Sequence, residues 1–221
     1  MQQNKEQASP LSFCIDPKRF DLLRSNDDFL AFIRVGRLLN AVAFSTEVLL
    51  TSRPDGNDPR GTRQYNRAFF LTGGYLYEAV QLIDSLYLEF QHESYFAGLK
   101  QFATSNLDKG FKKVLQTMRH SIAFHLDCDN KSTQQTLPNL SLSSYRVMSA
   151  TTETYRDFYF DLADTVDINY LVDSLGGPDS ETIVLNRIAK SVSEMQIGLL
   201  SAGHDFLLGL AKKLNLADKV L

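Results

Sequence analysis

The stretch Phe69-Phe70-Leu71-Thr72-Gly73-Gly74-Tyr75-Leu76-Tyr77-Glu78-Ala79-Val80-Gln81-Leu82-Ile83-Asp84-Ser85-Leu86-Tyr87-Leu88-Glu89-Phe90 decides the architecture. Within it Phe69, Gly73, Leu76, Val80, Ile83, Tyr87 and Phe90 recur at alternating steps of four and three, which puts them on one stripe of a long helix. The run Pro54-Asp55-Gly56-Asn57-Asp58-Pro59 ahead of it stops one helix and starts the next, so the spacing predicts an αα-hairpin. Gly73-Gly74 predicts close approach of a neighbouring helix.

Working outward, Asn26 or Asp27 can cap a helix whose apolar residues Phe29, Phe32, Ile33, Leu39, Val42 and Ala43 form a broad face to about Leu50. A third long helix carries Val184, Ile188, Val192, Met195, Leu199, Ala202, Phe206 and Gly209, introduced by the turn Gly176-Gly177-Pro178-Asp179. Shorter helices are expected near Tyr95 to Ala103, from Ser105 or Asn106 onward, and from about Tyr145 to Leu162. The Ser-, Thr-, Asn- and Gln-rich segment around Pro138, residues 129–144, reads as a long surface loop. Strand patterns are scarce. The fold expected is all-α, an antiparallel up-and-down helical bundle forming a single domain over 26–221, behind a polar leader and lead-in over 1–25.

Composition narrows the function classes. Of 221 residues 43% are hydrophobic, enough for a core without staples. Lys and Arg number 23 against 26 Asp and Glu, a net charge of -3, which excludes a wholly basic nucleic-acid coat and a wholly acidic tail protein. Two cysteines, Cys14 and Cys128, exclude a disulfide scaffold and a four-thiolate zinc cluster, and fit a reduced, cytoplasmic setting. Met1 to Ser12 lacks the apolar core of an export signal, and apolar windows such as Phe69 to Leu88 contain Glu78 and Asp84, so no membrane span and no membrane partner are expected.

The chemistry-bearing stretch runs from Lys109 to Leu126, with Lys109, Lys112, Lys113 and Arg119 and no acid. In an acidic chain this is a local positive field. Along its apolar stripe, Phe111, Leu115, Met118 and Ile122, α-helical geometry puts Arg119 and His125 about 60° to either side of Ile122. A guanidinium can fork onto two phosphate oxygens, and an imidazole can take or give a proton near neutral pH. RNA cleavage needs these roles and no protein nucleophile, because the ribose 2′-hydroxyl attacks. The same residues also suit a plain helix end, where cations meet the macrodipole and histidine caps carbonyls.

The run Met118-Arg119-His120-Ser121-Ile122-Ala123-Phe124-His125, with Gly74-Tyr75-Leu76-Tyr77-Glu78-Ala79 on the earlier helix, resembles the HEPN (higher eukaryotes and prokaryotes nucleotide-binding) superfamily. Its signature is Arg, four to six residues, then His; five residues separate Arg119 from His125, and His120 stands where the family carries a polar residue. The resemblance covers roughly Arg60 to Asp127. It implies a helical bundle that dimerises to line one cleft with two Arg/His motifs, and, in active members, metal-independent endoribonuclease activity of toxin or defence type. Carried over, Arg119 binds and polarises the scissile phosphate, His125 moves a proton or orients the 2′-hydroxyl, and His120 assists. No cofactor is implied, and the expected partners are RNA or a nucleotide, a second copy of the chain, and an antitoxin. The alternative is a non-catalytic nucleotide- or RNA-binding, or protein-interaction, module of the same fold.

Beside the resemblance, Glu78 is placed to orient Arg119, and Lys112, Lys113 and Arg67 are the candidate substrate-binding cations; Arg63 and Arg67, one turn apart, equally suit a surface. Glu89-Phe90-Gln91-His92 lacks the second Glu-x-x-His of a di-iron bundle, and His125-Leu126-Asp127-Cys128-Asp129-Asn130 lacks the further ligands of a calcium or zinc site. The acidic run Glu153, Asp157, Asp161, Asp164, Asp167 and Asp173 reads as a solvated face, or as a dock for the basic helix. Tyr75, Tyr77, Tyr155 and Tyr159 could stack on bases or pack the core. No phosphate-binding glycine loop or nucleophile elbow is present.

Overall fold

The computed structural model describes residues 13–15, 17–52, 59–105, 109–123, 131–140, 161–175 and 181–218. It is an all-α bundle of α1 (Pro17–Leu23), α2 (Asp27–Thr51), α3 (Pro59–Phe90), α4 (Ala97–Ser105), α5 (Lys109–Thr117), α6 (Lys131–Thr136), α7 (Asp161–Leu175) and α8 (Glu181–Lys213). Single turns of 3-10 helix precede α4 at Ser94–Phe96 and follow α6 at Leu137–Asn139, and a π-helix, Met118–Ala123, continues α5. A two-residue antiparallel pairing joins β1 (Phe13–Cys14) to β2 (Ala217–Asp218).

Helix α2 starts where its capping residue predicts. The Asn26 side chain accepts a hydrogen bond from the Phe29 backbone N–H at 3.0 Å, satisfying one of the donors that a helix start leaves unpaired. Three contacts fix the course of α3 against it: Arg34 with Ser85, Ser45 with Thr72, and Ser52 with Gln64. One number rises as the other falls, so the two helices are antiparallel. Thr46 with Gln196 and Asp28 with Lys213 make α8 antiparallel to α2 as well. Thus α3 and α8 run in the same direction, and Phe90 meets Phe206 at one end of the shared core.

The core forms where the periodicity places it. Leu76, Val80, Ile83 and Phe90 of α3 and Val184, Ile188, Val192, Met195, Leu199 and Phe206 of α8 are all buried. At the foot of the bundle the rings of Phe90, Tyr95 and Phe96 surround Phe206, with centroids 5.3 to 5.8 Å from its ring. Gly209 lets Tyr95 in, because a Cβ there would stand 2.2 Å from the tyrosine Cγ.

Helix α8 ends on Asn215, whose φ of 48° is the left-handed conformation asparagine tolerates. Asn215 donates its backbone N–H to the Lys212 carbonyl and Leu216 donates to Ala211, closing a Schellman turn that tucks Leu216 against Ala211. Leu214 and Phe29, with the partly buried Ile15, Leu23 and Phe32, complete this small second cluster.

Several expectations change. The lead-in over 1–25 contains α1 and β1, tied to the end of α8 by the β pairing and by a hydrogen bond from the Arg19 guanidinium to the Leu214 carbonyl. In the segment read as a loop over 129–144, residues 131–139 form α6 and a 3-10 turn; buried Thr136 and α7, which packs on α6, provide the tertiary support that polar composition cannot reveal. Helix α7 runs to Leu175, beyond the expected end near Leu162, while residues 145–160 and the turns at 54–58 and 176–179 lie outside the described residues. Helix α2 is, by length and mean hydropathy of 1.3, apolar enough to cross a membrane, contrary to the expectation that no window is. In the bundle Ala31, Val35, Val42 and Ser45 lie on the side packed on α3 and α8, while Phe29, on the opposite side of the helix, is buried in the small cluster at the end of α8.

The end of α8 also sets an alkaline limit. Lys213 donates to Asp28 at 3.0 Å and lies 3.5 Å from Glu93; the bond to Asp28 is the first cause that holds its amine above the usual range. A raised amine contributes stability that is fully present below its unfolded value, about 10.4, and is lost as pH climbs through the folded value. Burial pushes the Tyr95 phenol up, and the unfolded phenol loses its proton first, near pH 10, so both groups act in the same direction. Urea midpoints should fall more steeply above about pH 10 in the wild type than in Lys213→Gln. Parallel curves would remove this assignment.

Candidate functional site

Helix α3 presents Gly73, Tyr77 and Glu78 to the turn that carries the Arg119 motif. Met118 seats directly on Gly73: a Cβ at that position would lie 2.0 Å from the Met118 sulfur. Gly73→Ala therefore forces a fully buried side chain to move, at about 1–3 kcal/mol, against which alanine's helix preference returns about 1 kcal/mol. We expect a net loss of about 1 kcal/mol, and a Gly73→Ala, Met118→Ala double variant less destabilised than the sum of the two single changes, read from urea midpoints. Additive midpoints would mean the two positions do not touch.

Beyond Met118 the backbone is π-helical through Ala123. Its hydrogen bonds close one residue later than in an α-helix, so the angle per residue falls below 100° and side chains are re-aimed. The expectation that Arg119 and His125 flank Ile122 by about 60° rested on α geometry, and for Arg119 that geometry does not apply. His125 lies outside the described residues. π segments of this kind occur frequently at functional sites.

Arg119 and Glu78 come together. The Arg119 Nε donates to Glu78 Oε1 at 2.5 Å, with both side chains partly exposed. A pair in that setting contributes less than about 1 kcal/mol to stability, so its consequence is orientation: an anchored Nε fixes the guanidinium plane. His120 is exposed beside it and meets the Tyr77 ring edge-on, centroids 5.6 Å apart. Lys112 and Lys113 are exposed on α5, six or seven residues before Arg119, about 10 Å along a helical axis, while Val114 and Leu115 turn into the core.

Arg67 stands elsewhere. It is eleven residues before Glu78 on one continuous helix, about 16 Å along the axis, and its guanidinium pairs with Asp164 at 3.2 Å and Asp167 at 3.6 Å on α7. Asn66 donates to the second Asp164 oxygen at 2.7 Å. Buried Asp164 requires a cation, and Arg67, expected as a substrate-binding cation, supplies it. The acidic run thus includes an internal dock, since α7 packs on α5 and pairs with α3. Arg67→Ala should cost about 2 kcal/mol, discounted for the guanidinium's partial exposure, with Asp164→Asn relieving part of the loss in the double variant. Equal midpoints for wild type and Arg67→Ala would contradict this.

Sequence reasoning passed over two arginines. Arg34 and Arg37, exposed and one turn apart on α2, line an open cavity of about 460 Å³ together with Tyr75, Glu78, Gln81 and Ser85 of α3. The available signal was the pairing of two cations at helical spacing in an otherwise apolar helix; only the docking of α2 on α3 puts them beside Glu78. His92 is exposed past the end of α3, and Cys128, Tyr155 and Tyr159 lie outside the described residues. Among the described residues no three His, Cys, Asp or Glu side chains gather to hold a metal ion.

Comparison with protein-family models, with curated proteins and with solved structures finds no match to this chain.

Proposed function

We propose that this protein is a HEPN-type, metal-independent endoribonuclease in which Arg119 is the phosphate-binding cation. The observation that carries the reading is the Arg119–Glu78 contact at 2.5 Å on a π-helical turn, with an exposed imidazole, His120, on the next residue. An oriented guanidinium stabilises the charge that builds on the phosphate oxygens as phosphorus becomes five-coordinate. In the step itself the ribose 2′-oxygen bonds to phosphorus and the bond to the 5′-oxygen breaks; one imidazole accepts the 2′-hydroxyl proton and another donates a proton to the leaving oxygen. His125 and His120 are assigned to those two transfers. Products carry a 2′,3′-cyclic phosphate and a 5′-hydroxyl.

The reading includes a homodimer in which two Arg/His motifs face one cleft, RNA as substrate, an antitoxin as protein partner and a cytoplasmic location. Incubating the purified protein with RNA in the presence of a chelator and analysing fragment ends tests it: cyclic phosphate ends are expected, and no cleavage overturns the reaction.

A second reading, an RNA-binding module without catalysis, is favoured by one feature. Glu78 offsets part of the Arg119 charge, which lowers the stabilisation available to the negative charge that builds in a transition state. Binding without cleavage is its signature.

A further inference from the structure

We propose that the cavity between α2 and α3 is a nucleotide subsite, in which Arg34 and Arg37 hold a phosphate of a single-stranded RNA and Tyr75 stacks on a neighbouring base. This rests on the reading that the chain handles RNA, and adds a second place for the strand, on α2 and α3 beside the Arg119 turn.

Three features carry it. The first is charge. Arg34 donates to Ser85 Oγ at 3.1 Å, which lays its guanidinium across the cavity toward α3 while leaving most of its five donors for other partners. Arg37, one turn on, has no acidic partner among the described residues. Among the described residues Glu78 is the one acid lining the cavity and it is paired with Arg119; Glu89 acts on Arg34 from outside the lining, so the opening keeps a net positive charge, with Arg37 the cation least offset by an acid. The second is shape. About 460 Å³ falls in the range of small-ligand sites, and the half-buried ring of Tyr75 forms part of the wall.

The third is the polar set. Tyr75 offers a stacking face and the exposed amide of Gln81 can donate to and accept from a base edge. An acidic peptide would engage the arginines and Gln81 but gain little from an aromatic ring beside them, on which a base can stack, so the lining favours a nucleotide. Because Glu78 both lines the cavity and accepts from Arg119, a strand seated here runs next to the Arg119 motif.

The test is fluorescence anisotropy with a short labelled single-stranded oligonucleotide whose 2′-O-methyl groups prevent cleavage. Replacing both Arg34 and Arg37 by alanine should weaken binding about tenfold and reduce the slope of log affinity against log salt by about 0.7, the release of one phosphate's counterions. Tyr75→Leu should weaken binding about tenfold with the salt slope unchanged, because stacking releases no counterions, and Tyr75→Phe should bind as wild type. A merely structural effect would not split affinity from salt dependence in this way.

If the double alanine variant keeps wild-type affinity and slope while Arg119→Ala loses both, the subsite is overturned and the RNA reading stands. If the wild type does not bind the oligonucleotide, both are overturned.

Discussion

Arg119→Ala should lower the rate of RNA cleavage by about 100- to 1,000-fold while leaving the protein folded. The size follows from the role. Removing one donor aimed at developing charge in a preorganised site costs that much, whereas the partly exposed pair with Glu78 contributes less than about 1 kcal/mol to stability. Arg119→Lys keeps the charge and loses the planar fork, so it should recover only part of the rate. Glu78→Gln retains an acceptor for Nε without its charge; as a positioning change it should alter the rate less than Arg119→Ala and shift the balance between kcat and KM. Assays with purified variants, matched for thermal midpoint, separate these effects. Unchanged cleavage in Arg119→Ala would remove the site, and cleavage by none of the proteins would leave only the binding reading.

Phe206→Ala should be the most destabilising single change in the bundle. Its ring is fully buried and is in contact with Phe90, Tyr95 and Phe96, of which Phe90 meets it edge-to-face at 89°. Emptying such a site removes the transfer energy of the ring and leaves a cavity that three other rings cannot close, about 3–5 kcal/mol. A domain of ordinary stability holds about 5–15 kcal/mol in all, so the thermal midpoint should fall by about 10 °C or more, or the variant should fail to accumulate. Phe206→Leu, which keeps most of the volume, should lose much less. A fall below about 1 kcal/mol for the alanine variant would mean that this end of the bundle does not close on Phe206.

The periodic helices were legible in sequence for a direct reason. Burial of one face imposes a repeat of three and four on α3 and α8, and Asn26 marks the start of α2 through a local side-chain contact; along α2 the expected apolar face was misplaced, since Ile33 and Ala43 stand exposed while Ala31, Val35 and Ser45 are buried. Helix α6 was not legible: it is short and polar, with no stripe to read, and its support comes from α7. The π turn was hidden too, because its six residues carry no composition that separates i+5 from i+4 bonding.

The site divides along the same line. By itself the sequence determined that the chain is a helical bundle with a local basic stretch, and it picked out Arg119, His120 and Glu78, because residue type and helical spacing are local properties. Tertiary structure decided which cation meets which acid. It drew Arg67 to buried Asp164, seated Met118 on Gly73, joined Arg119 to Glu78 and set Arg34 and Arg37 of α2 on the wall of a cavity that Glu78 also lines. Those contacts depend on how helices distant along the chain dock, and docking is set by the combined shape of several buried faces, which no single stretch of sequence contains.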